Sequence, residues 1–330
     1  MISLESEVLK RHLPLFYHKS VLLAGGINDQ FPQKLEQYCQ SVQVWSCYFD
    51  YARTQSTVKF SIEFQGKVDL IVYYWTKNKQ EVQFQLLQLL ANSAEEQEVL
   101  IIGENRCGVR SVEKILAPFG DIAKIDSARR CSLYHFSLKK LPHFSLDTFW
   151  KTYQHPQLNN LTIHSLPGVF SANELDVGTA LLLSTLNQPI KGKVLDLGCG
   201  AGVIGSMIKK MNPKSIVSMT DIHAMALESA RKTLAENQLE ADVFASDVFS
   251  DIEGKFDLII SNPPFHDGID TAYRAVKTLI TQAKWHLNQS GELRIVANAF
   301  LPYPDLLQQH FGEFEVLAKT SKFKVYSVKN

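Results

Sequence analysis

The sequence predicts an α/β protein of two similar halves, each folded as a doubly wound, mostly parallel sheet. Three observations carry this prediction. Short apolar runs of strand type alternate with runs of helical spacing in the C-terminal half. Strand-like segments of the N-terminal half repeat those of the C-terminal half in the same order. The chain of 330 residues also exceeds what one hydrophobic core usually supports, which favours two domains.

The C-terminal half begins its alternation at KVLDL (193–197), a strand that ends in a glycine-rich turn and is followed by a helix over 203–211. SIVSMTD is a second strand ending at Asp221, and the next helix keeps its apolar positions on one face. ADVFASD and FDLIIS supply two more strands, the second leading into a double proline. Such alternation implies parallel pairing with right-handed crossovers.

The closing segments extend the same sheet. A helix is expected over 271–287 and a strand over 291–298. Two further strands, at 313–319 and 323–330, lie close together in the sequence, so we expect them to form an antiparallel C-terminal hairpin.

The N-terminal half repeats this order. The run Val68–Lys79 aligns with FDLIISNPPFHDG, Gln97–Gly108 with GELRIVANAFLP, and Cys131–Lys140 with FKVYSVKN, while VLLAGGI falls where VLDLGCG is expected. Ordered self-similarity of this kind indicates an internal duplication, with chance likeness between two doubly wound domains as the alternative.

The first copy lacks the residues that carry chemistry in the second. Tyr73-Tyr74-Trp75 replaces Asn262-Pro263-Pro264, and only Gly25-Gly26 remains of the glycine loop. The expected domains are therefore 1–150, a degenerate and chemically silent copy, and 151–330, the catalytic copy, with the boundary in an aromatic segment interrupted by prolines.

Composition sets further bounds. The formal net charge is zero, and the clusters Arg129, Arg130, Lys139, Lys140 and Lys319, Lys322, Lys324, Lys329 are best explained as solvated faces, with nucleic acid as the alternative. Five cysteines without a C-x-x-C pair indicate neither a disulfide framework nor a zinc site. No apolar run reaches membrane-spanning length, and charges interrupt the N-terminal runs, so we expect a cytoplasmic protein.

A glycine-rich loop follows the first strand of the C-terminal half: Asp196, then Gly198, Gly200 and Gly202. Glycines let the backbone turn tightly and approach a ligand closely. Such a loop also suits a dinucleotide pyrophosphate, but a carboxylate beside a phosphate is repelled, whereas the ammonium and sulfonium of S-adenosylmethionine attract it. Asp196 therefore favours S-adenosylmethionine.

Two further acids follow the next strands. Asp221 stands roughly 20 residues beyond the loop, where nucleotide-binding folds place an acid against ribose hydroxyls; an N-cap is the alternative. In Ser246-Asp247-Val248 the acid is suited to accept from an adenine amine while Val248 packs on the ring, and a simple turn is the alternative.

The fourth strand ends in Ser261-Asn262-Pro263-Pro264-Phe265. Prolines fix the backbone and donate no hydrogen bond, so nearby carbonyl oxygens stay free to face a cleft. The Asn262 side-chain oxygen and the Pro263 carbonyl are suited to accept from an amine whose lone pair is delocalised, while Phe265 stacks on its planar ring. We expect His266, which follows, to be a surface residue rather than a base.

These motifs resemble those of class I methyltransferases that act on exocyclic nitrogens. More closely, Pro167–Leu183 with VLDLGCGAGVIG and SNPPFHDG resembles the small-subunit ribosomal RNA guanine-N2 methyltransferases of the type called methyltransferase C. The resemblance covers Leu166–Asn330, and the motif-poor N-terminal half matches that family too.

The resemblance implies two tandem Rossmann-like domains, methylation of one 16S ribosomal RNA guanosine at N2, and a first domain that helps folding or RNA binding. It also implies that the segment around Phe170 to Thr179 covers the methionine end of the cofactor; from its residues alone, Phe170 suits the core equally well.

The predicted reaction is direct in-line methyl transfer from S-adenosylmethionine, leaving S-adenosylhomocysteine, without a metal. The expected partner is 16S ribosomal RNA in the 30S subunit or its assembly particle, with no membrane and a monomeric enzyme. Alternatives are the same chemistry on adenine N6 or a protein glutamine amide, and a non-catalytic RNA-binding or assembly module. An NAD-dependent oxidoreductase is disfavoured by Asp196.

Overall fold

The computed structural model describes residues 2–263 and 269–330. These residues form two compact units that divide between Phe149 and Trp150. Each unit is built around its own seven-stranded sheet. In the part of the chain that the structure describes, no helix combines the length and the apolar character needed to cross a membrane.

The first unit contains seven strands: β1 (Ser20–Gly25), β2 (Ser41–Ser46), β3 (Val58–Phe60), β4 (Leu70–Tyr74), β5 (Glu98–Glu104), β6 (Gly120–Ala128) and β7 (Cys131–Leu138). Its helices are α1 (Leu4–Leu9), α2 (Phe31–Leu35), α3 (Phe49–Ala52), α4 (Lys79–Ala91) and α5 (Ser111–Leu116), with 3₁₀ turns at Lys10–Phe16, Asn105–Cys107 and Leu146–Phe149. The strand order is β3-β2-β1-β4-β5-β7-β6.

The second unit contains a hairpin of β8 (Lys151–Gln154) and β9 (Thr162–Ser165), and a sheet of β10 (Lys193–Leu197), β11 (Ile216–Asp221), β12 (Asp242–Ala245), β13 (Phe256–Ser261), β14 (Leu287–Asn298), β15 (Glu315–Lys319) and β16 (Phe323–Lys329). Its helices are α6 (Val177–Leu183), α7 (Val203–Met211), α8 (Ala224–Glu236), α9 (Ile269–Ala283) and α10 (Tyr303–Phe311), with 3₁₀ turns at Pro156–Leu158 and Lys284–His286. The strand order is β12-β11-β10-β13-β14-β16-β15.

The two sheets have the same topology, strand for strand. In each, the first five strands in chain order pair in parallel and the last two add antiparallel neighbours. The predicted C-terminal hairpin is β15 with β16, and β16 also pairs antiparallel with β14. The predicted fold class, including the duplication, is confirmed.

Strand register corrects one alignment made from the sequence. Val21 pairs with Leu70 in the first sheet, as Val194 pairs with Leu258 in the second. Tyr74 is four residues after Leu70, and Asn262 is four residues after Leu258, so Tyr74 stands at the position of Asn262. Tyr73-Tyr74-Trp75 therefore corresponds to Ser261-Asn262-Pro263, which begins one residue earlier than the expected Asn262-Pro263-Pro264. Val21 of β1 likewise corresponds to Val194 of β10, so Leu23, two residues further on, stands at the position of Asp196.

The core of the second unit forms where the central strands are apolar on both faces, as parallel strands covered by helices require. One cluster joins α9 and α10 to β13 and β14, and its members include Leu279, Ile280, Leu307, Ile259 and Leu293. Because β10, β11, β12 and β13 pair in parallel, their carboxyl ends lie at one edge of the sheet. That edge is where ligands bind in open α/β sheets.

Candidate active site

The glycine loop between β10 and α7 turns through three left-handed residues. Gly198, Gly200 and Gly202 have φ of +74°, +53° and +78°. Among the described residues, a Cβ built on Gly198 meets nothing within 4 Å, and one on Gly200 meets only the Phe170 carbonyl oxygen at 3.9 Å. One on Gly202 lies 3.0 Å from the Ala230 Cβ. The first two glycines thus border open space, whereas the third allows α7 to pack closely on α8.

Asp196 lies beneath this loop with its side chain fully buried. Its Oδ2 accepts a 2.8 Å hydrogen bond from the Gly205 N–H, whereas its Oδ1 is buried without a partner among the described residues. Burial raises the Asp196 pKa to about 7; the neighbouring Asp221 also raises it, and the Gly205 N–H lowers it. One oxygen of this acid therefore anchors α7 and the other is uncommitted.

Asp221, at the end of β11, links the loop to the start of α8. Its Oδ2 accepts from the Gly200 N–H and its Oδ1 from the His223 N–H, both at 2.9 Å. Burial raises the Asp221 pKa, and the two backbone N–H groups oppose that rise. The residue that caps α8 is His223, whose Nδ1 accepts from the Met225 N–H, so the N-cap alternative for Asp221 does not apply.

Ser246, Asp247 and Val248 follow β12 at the same edge. The Ser246 N–H donates to the Asp221 carbonyl at 3.1 Å, and its hydroxyl donates to the Val248 carbonyl at 2.8 Å. Val248 has φ of +52°, a strained conformation for a β-branched residue of the kind that clusters at ligand sites. The segment is therefore more tightly constrained than a simple turn.

Asn262, directly after β13, is held by α6. Its Nδ2 donates to the Thr179 hydroxyl at 2.8 Å and to Asp176 Oδ2 at 3.1 Å. A carboxylate only accepts hydrogen bonds, so Asp176 fixes which end of the amide faces it. The Asn262 Oδ1 then points away, buried, and receives no hydrogen bond from any residue the structure describes.

Ser261 and Pro263 flank this asparagine. The Ser261 hydroxyl donates to the Leu197 carbonyl at 2.6 Å, tying the end of β13 to the end of β10. Pro263 is buried. Pro264, Phe265 and His266, which the sequence analysis also singled out, lie outside the described residues, so their predicted roles stay predictions.

Phe170 is 55% exposed, so it is not a core residue. Its carbonyl borders the open space at Gly200. From there the chain runs to Asp176, which caps α6 and accepts from the Thr179 N–H at 2.8 Å. The stretch from Phe170 to Thr179 thus extends from the glycine loop to Asn262.

Asp176 and Thr179 were not singled out individually from the sequence. A signal was present, because Asp176 precedes an apolar helical run and is a preferred N-cap residue. Their hydrogen bonds to Asn262 have no sequence signature, since the residues lie 86 and 83 positions away.

The edge thus combines a glycine loop, acids at the ends of three successive strands, and one buried amide oxygen that receives no hydrogen bond within residues 2–263 and 269–330. Open space at Gly198 and the uncommitted Asp196 oxygen fit a cofactor with a cationic methionine moiety, and Asp221 and Asp247 fit its nucleoside part. No group of three or more His, Cys, Asp or Glu side chains that could hold a metal ion occurs among residues 2–263 and 269–330.

Comparison with known proteins gives two family models along this chain. The model described as methyltransferase small domain matches residues 160–327, and the one described as methyltransferase small domain N-terminal matches residues 6–153. Together they correspond to the two units of the fold.

A solved structure from T. thermophilus has the same fold across both units. It is the 16S rRNA N2 G1207 methyltransferase in complex with AdoMet and guanosine, with a TM-score of 0.85 at 24% identity, covering 99% of this chain and 92% of that one. At this identity the match shows the shared fold.

Curated relatives are much closer in sequence. Ribosomal RNA small subunit methyltransferase C of Pasteurella multocida (strain Pm70) is 73% identical over 329 residues, with 100% of each chain covered. The protein of that name from Haemophilus influenzae (strain PittGG) is 78% identical over 330 residues, again with 100% of each chain covered. This chain therefore belongs to the ribosomal RNA small subunit methyltransferase C family.

Proposed function

We propose that this protein transfers the methyl group of S-adenosylmethionine to the exocyclic N2 of a guanosine in 16S ribosomal RNA. Membership of the family supports methyl transfer to small-subunit ribosomal RNA. The T. thermophilus protein that shares the fold methylates 16S ribosomal RNA at guanosine N2, which supports the same RNA and the same position here. We assign catalysis to residues 151–330 and a supporting role in folding or RNA binding to residues 1–150.

The observation that carries this proposal is the buried Asn262 Oδ1, which has no hydrogen-bond donor among the residues that the structure describes. A buried acceptor without a donor is unfavourable by about 1–3 kcal/mol. An exocyclic amine brings N–H donors, so its arrival would satisfy the oxygen and fix the nitrogen beside it. Asp176 and Thr179 hold the amide in the orientation that keeps this oxygen available.

The cofactor-binding assignments follow the carboxyl edge of the sheet. Gly198, Gly200 and Gly202 shape the loop, and Asp196 supplies negative charge beside the methionine moiety. Asp221 is assigned to the ribose hydroxyls, and Ser246, Asp247 and Val248 to the adenine. Phe170 is assigned to the methionine end, where its carbonyl already borders Gly200. The cofactor supplies an electrophilic methyl group on a sulfonium sulfur.

The protein's own part in the reaction is positioning. Asn262 Oδ1 and the Pro263 carbonyl accept the two N–H groups of the amine, and Phe265 stacks on the extruded base. Orientation of this kind removes much of the barrier to in-line transfer. As the N–C bond forms and the C–S bond breaks, the nitrogen gains a positive charge, and it then releases one proton to water. No side chain is assigned as a base.

The proposal is tested by methyl transfer from labelled S-adenosylmethionine to unmodified small-subunit particles, free 16S RNA and total protein, followed by digestion to nucleosides. We expect label in N2-methylguanosine. Removal of one positioning group should be costly, so Asn262→Ala should lower kcat at least about a hundredfold. Binding of S-adenosylmethionine should persist, because Asn262 is assigned to the acceptor.

Thr179 provides the matched pair of variants. Thr179→Val removes the hydroxyl that orients Asn262 and should lower kcat with little change in the KM for S-adenosylmethionine, whereas Thr179→Ser should retain activity. Label in N6-methyladenosine or in protein glutamine would overturn the acceptor, and no transfer by a wild-type protein that binds the cofactor would overturn catalysis.

The proposed partner is the 30S subunit or its assembly particle, and we place the enzyme in the cytoplasm, where such particles assemble, as a monomer acting without a membrane. Light scattering of the protein alone and mixed with small-subunit particles tests the monomer assignment, which a stable dimer would contradict.

A further inference from the structure

Phe300, an exposed aromatic side chain, lies near three lysines in the second sheet, at the edge that also carries the candidate active site. Phe300, in the loop after β14, is 82% exposed, the largest exposure among the large apolar residues described. Lys319 and Lys322 are exposed and Lys324 is half-buried. We call these four residues the Phe300–lysine face.

Backbone pairing brings the four residues together. Asn298, the last residue of β14, pairs with Phe323, the first of β16. The Ala299 N–H donates to the Lys322 carbonyl at 2.8 Å, which joins the Phe300 loop to the β15–β16 turn. Lys319 and Lys324 are directly opposite each other across that hairpin.

The Phe300–lysine face carries three positive charges and no negative charge of its own. Among the residues described, no acidic side chain forms an ion pair with any of the three lysines. Like charges directly opposite on neighbouring strands are destabilising. Because the whole chain has a formal net charge of zero, this local excess is a feature of the face and not of the composition. A polyanion would relieve it.

The face continues into the candidate active site. A Cβ built on Gly178 lies 3.3 Å from the Phe323 ring, so the start of α6 contacts the first residue of β16. The next residue of α6, Thr179, binds Asn262. The start of α6 therefore contacts both Asn262 and the first residue of β16.

We propose that the Phe300–lysine face binds the ribosomal RNA strand next to the target nucleotide. Phe300 stacks on an unpaired base, and the three lysines contact consecutive phosphates, the combination that binds single-stranded nucleic acid. This assignment rests on the proposed function. Three of the four lysines that the sequence analysis assigned to a solvated face thereby have a role in substrate binding, and the fourth, Lys329, lies outside the Phe300–lysine face.

The opposite edge of the same sheet provides matched controls. Lys329 is the exposed lysine at the far end of β16, where it pairs with Glu292. Trp285, in the 3₁₀ turn that leads into β14, is 68% exposed. Lys329→Ala and Trp285→Ala thus remove the same kinds of side chain from the same sheet, far from Asn262.

The test measures equilibrium binding of the full-length protein to a labelled 16S RNA fragment across a series of salt concentrations. The triple variant Lys319→Ala, Lys322→Ala, Lys324→Ala should reduce the slope of log affinity against log salt by about 2, at about 0.7 for each phosphate contact. Phe300→Ala should weaken binding on the order of tenfold, and Phe300→Trp should restore it. The two controls should bind as wild type.

Methyl-transfer kinetics and S-adenosylmethionine binding separate this inference from the proposed function. In the face variants we expect a raised KM for RNA, with kcat and cofactor affinity unchanged. An unchanged cofactor affinity would also show that the variants are folded. Wild-type RNA affinity and salt slope in both face variants would overturn the face alone, as would equal losses in the two controls. Absence of methyl transfer by wild type would overturn the function while leaving the binding comparison intact.

Discussion

Asp196 serves two roles at the glycine loop. Its Oδ2 holds the Gly205 N–H and so fixes the start of α7, while its Oδ1 is buried without a donor in the described residues. With the pKa raised by burial to about 7, much of this acid is protonated just below neutral pH. A bound cation would favour the ionised form and draw the proton off.

We therefore expect the affinity for S-adenosylmethionine to rise with pH through the Asp196 pKa of about 7. If binding requires the carboxylate, the dissociation constant should fall about eightfold between pH 6 and pH 7.5. Isothermal titration at several pH values measures this. Asp196→Asn keeps an oxygen for the Gly205 N–H but cannot ionise, so its weaker binding should not vary over this range.

Folding stability should change in the opposite direction. A carboxyl whose pKa rises from 3.8 to about 7 on folding binds more protons in the native state between those values. Its contribution to stability is therefore present at low pH, declines as pH rises through this window, and is flat above about 7. The difference between the urea midpoints of wild type and of Asp196→Asn isolates this contribution.

For cofactor binding, a pH dependence that survives in Asp196→Asn would assign that dependence to another group, such as Asp221.

The sequence pattern singled out the candidate residues at the strand ends but not the residues that hold them. Asp196 and Asp221 lie at the carboxyl ends of apolar strands, and Asn262 directly follows another. Parallel strands bring their carboxyl ends to one edge, so the grouping of these three residues follows from local pattern. The partners of Asn262 could not be predicted from local pattern, because the hydrogen bonds from its amide to Asp176 and Thr179 depend on how α6 packs.

At the scale of elements, contact between α7 and α8 depends on one glycine. Gly202 has φ of +78°, and a Cβ there lies 3.0 Å from the Ala230 Cβ and 3.1 Å from its Cα. Gly254 has almost the same φ, +81°, but open space around it. Alanine substitutions at Gly202 and Gly254 therefore separate the free-energy cost of a left-handed backbone from the cost of a steric clash.

We expect Gly254→Ala to lower the free energy of unfolding by about 1 kcal/mol, the strain of a left-handed alanine. Gly202→Ala should lower it by about 2–4 kcal/mol, because overpacking adds to the same strain. It should also weaken S-adenosylmethionine binding, since α7 carries the end of the loop. Chemical denaturation of both variants provides the comparison, and equal losses would show that the α7–α8 contact is not limiting.

Elements with strong periodicity were predictable, and those that depend on neighbours were not. The strands of the second sheet and α7 and α8 were predicted from apolar spacing. The helix expected over 271–287 instead gives way after Ala283 to a 3₁₀ turn, and β14 begins already at Leu287. The four-residue strand β9 escaped prediction because it is held from outside: the His164 and Leu166 N–H groups donate to Thr233 and Ser229 of α8.

At the scale of the whole molecule, the two units keep matching hydrogen bonds as well as topology. Asp69 Oδ2 accepts from the Ser20 N–H at 2.7 Å, and Asp257 Oδ2 accepts from the Lys193 N–H at 2.7 Å. At the site itself, the Ser6 and Tyr74 hydroxyls are 2.8 Å apart where Thr179 binds Asn262. The first unit thus retains the framework of the second while an aromatic phenol replaces the amide.

The glycine turn of the first unit is also closed. A Cβ on Gly25 lies 2.2 Å from the Tyr74 carbonyl oxygen and 3.1 Å from the Tyr73 ring, whereas one on the equivalent Gly198 meets nothing within 4 Å. Leu23 stands where the second unit has Asp196, so the charge that favours a sulfonium is missing too. The space and the electrostatics for the cofactor are both lost in the first unit.

We therefore expect the full chain to bind one S-adenosylmethionine, not two, despite its duplicated fold. Isothermal titration should give a stoichiometry of one per chain. Asp221→Ala should weaken binding by about tenfold or more, because a charge-assisted hydrogen bond to ribose contributes about 1.5–3 kcal/mol. Tyr74→Phe, which removes only the phenol at the corresponding position of the first unit, should change neither the stoichiometry nor the affinity. A stoichiometry of two would mean that the first unit has kept a working site, against its closed glycine turn and Leu23, whereas full-affinity binding in Asp221→Ala at a stoichiometry of one would contradict the assignment of Asp221 to the ribose.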